Sequence, residues 1–464
     1  MSNDFDVVII GAGMSGLAAG IRLAMFDQKV CVLESHSIPG GLNSYYQRGK
    51  RKFDVGLHAM TNWTPKGSRG KPLSKIIKQL RIPYDDFKLI PQKQSSICFP
   101  DHKLKFTNDI DDFRSEILNT FPAEIDGFNK LIRYIEEYNE TSLTSTYTSA
   151  KSIVSNYIKN ETLQNMLFCP LMIYGSAWEH DMDFSQFAIM FKSIFLEGFA
   201  RPEGGVRTII NLLTEKLEQK GLLVKYKSKV KNIQAINNKV SSVNLINGET
   251  IKCKKILSSA GYRETLNLFE EKQSEENQIK IGKMSFTESI LILDKKPIDL
   301  GIEDTIIFAN YDHKYEYRNP NKLYDENSAV LCFPNNFSID DEKESIFRAT
   351  MMADFKCWDQ LDRPQYLKEK SNVLSKSLDF LSKHQTTNTI NPEILFSDVF
   401  TPKTVKKYTQ HENGCVYGSP NKSRDGRTSV EGLYLMGTDQ GFLGIVGAML
   451  SGISMANFHC LQDQ

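Results

Sequence analysis

Residues Phe5–Met60 read FDVVIIGAGMSGLAAGIRLAMFDQKVCVLESHSIPGGLNSYYQRGKRKFDVGLHAM, and this stretch decides the class of fold. The apolar run Val7–Ile10 suits a buried parallel strand, and Gly11, Gly13 and Gly16 follow it directly, before the helix-compatible LAAGIRLAMF. Gly11 permits a tight turn, Gly13 has no Cβ to block a pyrophosphate, and Gly16 lets the helix pack close to the strand. Ala12, Met14 and Ser15 complete the loop, whose helix N-terminus turns unpaired N–H groups towards phosphate. The next strand, KVCVLES, ends at Glu34 and Ser35, roughly 20 residues on, where a carboxylate accepts hydrogen bonds from ribose hydroxyls and disfavours a 2′-phosphate. The expected architecture is α/β, with a Rossmann-type domain for an adenine dinucleotide.

FAD and NAD share that fingerprint, and two later features favour FAD. Pro39-Gly40-Gly41 supplies a second glycine pair through which another backbone segment could approach the diphosphate, with Leu42 and Asn43 following. FDVGLHAM then places Asp54, Gly56, Leu57 and His58 on one extended segment against which a flat ring could lie. From Asp4 to Met60 the chain resembles the flavoprotein superfamily of amine oxidases and carotenoid desaturases. GGLNSYY followed by FDVG and a histidine is most similar to its phytoene desaturase, carotenoid isomerase and retinol saturase branch. Many members carry Arg or Lys directly after the glycine pair, where Leu42 and Asn43 stand here. Arg48, Lys50, Arg51 and Lys52 lie nearby and read as a solvated basic turn.

The closing segment EGLYLMGTDQGFLGIVGAMLSGISMANF repeats the logic, with a strand ending at Gly437 and a helix starting after a glycine-rich turn. The resemblance implies an acid on the ribityl chain, matched by Asp439 beside Thr438, and helix-end N–H groups near the flavin, matched by Ile445, Val446, Gly447 and Ala448. It also implies that Val230 lies near the adenine and that Ala260 and Gly261 abut the cofactor. TPKTVKKYTQHENGCVYG resembles the segment before the last strand in carotenoid isomerases and retinol saturases, through Thr401, Pro402, Gly414, Tyr417 and Gly418.

The 464 residues suffice for two domains, and a 40% hydrophobic content with net charge +1 describes an ordinary globular chain without a nucleic-acid signature. No signal peptide or spanning apolar run is read, which predicts a cytoplasmic protein, peripheral to a membrane at most. The eight scattered cysteines fit buried free thiols. No metal site is expected, and the cluster Glu179, His180, Asp181, Asp183 reads as a polar turn before a helix.

The expected cofactor domain is discontinuous, taking residues 1–85, 201–275 and 395–464, and an α+β substrate domain takes 86–200 and 276–394. Ile110–Leu167 has helical spacing. Lys225, Lys227, Lys229 and Lys231 alternate with Val224, Tyr226, Ser228 and Val230 as on one strand, and Asn247-Gly248 marks a hairpin. EEKQSEENQIK reads as a surface linker and Ser338 as a helix N-cap. In FSQFAIMFKSIFLEGFA, Phe184, Phe187, Phe191, Phe195 and Phe199 share a helix face that could meet a core, a tunnel or a bilayer.

The resemblance implies hydride exchange between flavin and a C–C or C=C bond of a hydrophobic polyene or isoprenoid lipid, in either direction, with the electron acceptor open. His58 is the single catalytic candidate, beside a purely structural reading. Rival readings are an amine or porphyrinogen oxidase, and a flavin-free binder of prenylated proteins of the GDP dissociation inhibitor type. A yellow purified protein would speak against the last.

Overall fold

Val7, Val8, Ile9 and Ile10 are all buried, as a strand covered on both faces requires. Their strand, Asp4–Ile10, lies in the middle of a parallel array, between Val30–Leu33 and Thr250–Ser258. Val224–Lys225 extends the array beyond Val30–Leu33, and Leu433–Leu435 from the far end of the chain pairs in parallel with Thr250–Ser258. Lys239–Leu245 joins antiparallel through the Asn247-Gly248 turn, where Gly248 takes φ +89°. The computed structural model describes residues 4–142, 146–270, 278–337, 344–386 and 392–462; most of the expected linker and the Ser338 cap lie outside them.

Helix Met14–Ala24 packs against helices Val206–Gln219 and Gly444–Met455 through Leu17, Ile21, Ile209, Leu213, Val446 and Met449. Two glycines set these approaches. A Cβ on Gly16 would stand 2.0 Å from the Gly11 carbonyl oxygen, and one on Gly452 would stand 2.0 Å from that of Ser15. The ends of the chain are thus packed together at backbone contact.

A second seven-stranded sheet runs in the order Ile394–Phe400, Ser285–Leu293, Ser345–Ala353, Ser328–Cys332, Ile306–Asn310, Ser95–Cys98, Lys103–Phe106. Ile394–Phe400 therefore belongs to this sheet, although the expected cofactor block starts at 395. Helix Arg363–His384 covers one face through Val373, Phe380 and Leu381. The predicted helical stretch covers the other, as helices Ile110–Thr120, Ile125–Glu137, Ala150–Tyr157 and Glu161–Gly175. Asp109, Ser149 and Asn160 cap three of them, each accepting a backbone N–H.

One local expectation is corrected and one open alternative is decided. The lysine-alternating strand is broken, because Lys227 adopts φ +53° and donates its N–H to His36 O (3.1 Å). The chain turns there, passes beneath Glu34 and restarts as Val230–Ile236. The phenylalanine helix, Phe184–Phe191 continued by a π-turn Lys192–Glu197, is not a membrane face. Phe184, Phe187, Phe191, Phe195 and Phe199 are all buried, and Phe195 stacks on Phe113 at 4.6 Å. Bulky aromatic faces find a core partner when helices and a sheet surround them. Phe191→Glu is accordingly expected to unfold the helical layer, costing at least the ~3–5 kcal/mol of a Phe→Ala truncation. Thermal denaturation checks this; an unchanged Tm with lost liposome flotation would restore the membrane reading.

Candidate cofactor and active site

The two glycine loops meet face to face. Gly40 donates its N–H to Ala12 O (2.8 Å), Gly13 and Gly40 form a parallel bridge, and a Cβ on Gly41 would sit 3.5 Å from Gly13 Cα. Gly40 is conformationally required, since φ +112° and the 2.8 Å approach of Ser44 Cα exclude a side chain. Gly13 differs. Its φ of −72° suits any residue and a Cβ there would meet nothing within 4 Å, so the fold itself makes no demand for glycine.

That open position faces a cavity of about 560 Å³, a size that suits a cofactor site. Gly11, Gly13, Met14, Ser15, Glu34, Ser35, Gly40, Gly41, Leu42, Asn43 and Gly56 line it, as do Val230, Ala260, Gly437, Thr438, Ile445 and Ala448 from distant segments. Helices Met14–Ala24 and Gly444–Met455 both begin at its wall, and neither has a side-chain cap or an acidic first turn. Their first N–H groups are available to an anion. The Glu34 carboxylate accepts from Ala12 N and His36 N, both at 2.8 Å, which fixes it at the edge of the cradle.

Ala12, Gly16, Leu57, Gly261, Val446 and Gly447 stand behind this lining. Asp439 is likewise outside this lining. Its carboxylate accepts from Tyr262 N (2.5 Å) and Ser419 N (2.8 Å), with Lys422 Nζ at 3.4 Å, so it ties the last-strand turn to two loops. Buried acceptors are held by buried donors, and Asp439 is 2% exposed.

At the cavity's inner end lies His58, in a polar cluster supplied by the second sheet. Its Nε2 is 3.1 Å from Glu288 Oε1 and 3.0 Å from Thr350 Oγ1, and its Nδ1 is 3.3 Å from the Tyr174 hydroxyl. Glu288 and Thr350 are cross-strand neighbours, and Arg348, two residues from Thr350, donates Nε to Glu288 Oε1 at 2.7 Å. Arg348 Nη1 and Arg201 Nη1 both donate to Leu57 O (2.7 and 3.1 Å), while Arg201 pairs with Asp54 at 2.7 Å. Two buried guanidiniums thus clamp the FDVGLH segment.

Burial works against the Glu288 anion, but the Arg348 guanidinium and the His58 hydrogen bond outweigh it and hold its pKa down, to about 2. Burial lowers the His58 pKa despite that hydrogen bond, and Arg348 and Arg201 add to the effect. A neutral His58 facing an ionised Glu288 carries its proton on Nε2, which leaves Nδ1 to accept from Tyr174.

Glu288, Arg348, Thr350, Tyr174 and Arg201 were not singled out from sequence. A signal existed for the first three: SFTESILIL and SIFRATMMA are strands of buried residues interrupted by charged or polar side chains. An ionisable group in such a strand needs a partner, and the partner marks a site.

A parallel sheet with a double-glycine cradle, joined to a second sheet bearing a buried histidine–carboxylate–arginine wall, defines a dinucleotide-dependent redox protein. The chain belongs to the family of flavin containing amine oxidoreductases, which matches residues 14–457. It is 25% identical to the chloroplastic prolycopene isomerase of Arabidopsis thaliana over 501 residues, covering 98% of this chain and 82% of that one. To the all-trans-retinol 13,14-reductase of Danio rerio it is 22% identical over 529 residues, covering 97% and 85%. Among solved structures, an oxidoreductase from Methanosarcina mazei superposes with a TM-score of 0.66 at 15% identity, over 97% of this chain and 99% of that one. The cofactor is FAD and the protein is an FAD-dependent oxidoreductase. The cradle fits that group: it offers a glycine with free space in front of it and two uncapped helix N-termini. Among the described residues no helix is long and apolar enough to cross a membrane, and no cluster of metal-ligating side chains occurs.

Proposed function

We propose that the protein acts on C–C or C=C bonds of a hydrophobic polyene or isoprenoid lipid, in the manner of a carotenoid desaturase, isomerase or saturase. The observation that carries this reading is the wall of the inner cavity. Around His58, Ile173, Met190, Phe286, Val330 and Val416 make it apolar, and the carboxylate beside that histidine, Glu288, is already neutralised by Arg348. A cationic amine would find no uncompensated charge there, whereas a hydrocarbon meets matching surface. The functions of the relatives, prolycopene isomerase and retinol reductase, support the same substrate class. A carrier of prenyl groups without flavin would leave the open space at Gly13 without a use.

In this reading FAD supplies the redox step, and the chain binds, orients and excludes water. Gly11–Gly16 and Gly40–Asn43 hold the diphosphate, Glu34 the ribose, Val230 the adenine side, and Ile445 and Ala448 the far end, at the second helix N-terminus. Both ring nitrogens of His58 are engaged by protein groups, so a proton reaches Nδ1 only through, or by displacing, the Tyr174 hydroxyl. His58 and Tyr174 together are the proton-handling pair. A cytoplasmic location with substrate drawn from a membrane surface fits this reading.

The test is anaerobic incubation of the flavin-loaded protein, oxidised or chemically reduced, with poly-cis and all-trans polyenes in detergent, followed by chromatography. A change in polyene geometry or conjugation length is expected. Flavin reduction by putrescine or benzylamine with every polyene unaltered would overturn the proposal.

A further inference from the structure

Four carboxylates line the cofactor cavity, those of Glu34, Glu264, Glu288 and Glu412. Two are matched by arginine: Arg348 holds Glu288, and Arg263 holds Glu412 at 3.1 Å. The other two are held by backbone. Glu34 accepts from the N–H groups of Ala12 and His36, and Glu264 Oε1 accepts from that of Glu412 at 2.8 Å, with no ion pair to either acid among the described residues. An acid in a cavity wall without a counter-ion keeps acceptor capacity for the donors of a ligand. For Glu34 those donors are ribose hydroxyls.

Position separates the two acids. The parallel strands run in the order Val30–Leu33, Asp4–Ile10, Thr250–Ser258, Leu433–Leu435, and a ligand of such a sheet lies across their C-terminal ends. Glu34 follows the first of these strands, and the glycine loop for the diphosphate follows the second. Glu264 follows the third, on the short helix Tyr262–Leu266. It therefore stands across the diphosphate from Glu34, towards Gly437 and the helix N-terminus at the flavin end. The hydroxyl-bearing part of an FAD on that side is the ribityl chain.

The turn before Glu264 leaves room for its carboxylate. Gly261 has φ +105°, and a Cβ there would stand 2.2 Å from Glu264 Oε2 and 3.6 Å from Asp439 Oδ2. Asp439 accepts from Tyr262 N at 2.5 Å and so pins this turn from behind. His411, in the same wall, has its Nδ1 3.0 Å from Cys415 O.

We propose that Glu264 is the acid that accepts hydrogen bonds from the ribityl hydroxyls of FAD, with Asp439 as the residue that positions its turn. The cavity then grips both polyhydroxylated parts of the cofactor in the same way, Glu34 on one side of the diphosphate and Glu264 on the other.

The experiment titrates the deflavinated protein, by flavin fluorescence, with FAD and with an FAD analogue whose ribityl chain is replaced by an unsubstituted pentamethylene chain. The parent is expected to prefer FAD at least tenfold. Glu264→Gln keeps a carbonyl for the Glu412 N–H but removes the charge, and is expected to reduce that preference at least fivefold by weakening FAD. Glu264→Asp, which withdraws the carboxylate by one methylene, should do the same. Glu34→Gln is expected to weaken both ligands alike and leave the preference standing, as an acid on the adenosine side requires. Melting curves recorded without flavin report that each variant folds. A parent without preference, or a preference that survives in both Glu264 variants, would overturn the assignment; its loss in Asp439→Asn alone would return the role to that residue.

Discussion

Protein carrying Gly13→Asp is expected to fold normally and to emerge colourless. Position 13 has φ −72° and open space where the Cβ would stand, so the substitution strains nothing in the polypeptide. It puts a side chain, and a negative charge, where the diphosphate would lie at the N-terminus of helix Met14–Ala24. A loss of FAD affinity of at least about 100-fold follows, on the order of 2.7 kcal/mol. Absorbance of the purified protein near the flavin bands checks it, beside a melting curve recorded without added FAD, which should match that of the parent apoprotein. Gly16→Ala is the informative contrast. There the Cβ would meet the Gly11 carbonyl at 2.0 Å, so stability itself should fall. A yellow Gly13→Asp protein would refute the cradle.

Arg348→Met is expected to be the most damaging single substitution in the inner wall. Arg348 is 2% exposed, and its removal leaves Glu288 ionised without its strongest partner and takes one of two donors from Leu57 O. Stranding one member of a buried pair costs about 3–5 kcal/mol, or roughly 3–5 °C in Tm for a protein of this size. The pH dependence carries the same information. With a folded pKa near 2 against an ordinary value of 4.5, Glu288 stabilises the fold above pH 4.5 and loses that contribution as pH falls from 4.5 towards 2. His58 works in the same direction, because the unfolded chain takes up a proton near pH 6.5 that the folded protein resists. The stability gap between parent and Arg348→Met should therefore narrow between pH 6 and pH 3. Glu288→Gln added to Arg348→Met should recover part of the loss at pH 7, as a coupled pair requires. A gap that stays constant across this range would show that the pair carries no electrostatic weight.

The cofactor end of the site was readable from sequence because each requirement there is local. Strand, glycine turn, helix and acid follow one another within Phe5–Glu34, and each residue's role depends on its immediate neighbours. The inner wall was not readable, because Glu288, Arg348 and Thr350 acquire meaning only through a strand pairing that sets Ser285–Leu293 beside Ser345–Ala353. His58 could be singled out, being local to the FDVGLH segment, but its three hydrogen-bond partners lie 116 or more residues away. Asp439 and Phe191 show the limit of local reading. An acid after a final strand and an aromatic stripe on a helix each suit a ligand or an interior equally well, and only tertiary packing decides between them.

The backbone contact between Ser15 and Gly452 has a consequence for how the enzyme is made. The two halves of the cradle meet only late in synthesis, since the first glycine loop is made more than 400 residues before the helix that closes over it. Flavin acquisition is therefore a late event in biogenesis, and nascent chains stalled before residue 433 should accumulate without chromophore however abundant the vitamin supply.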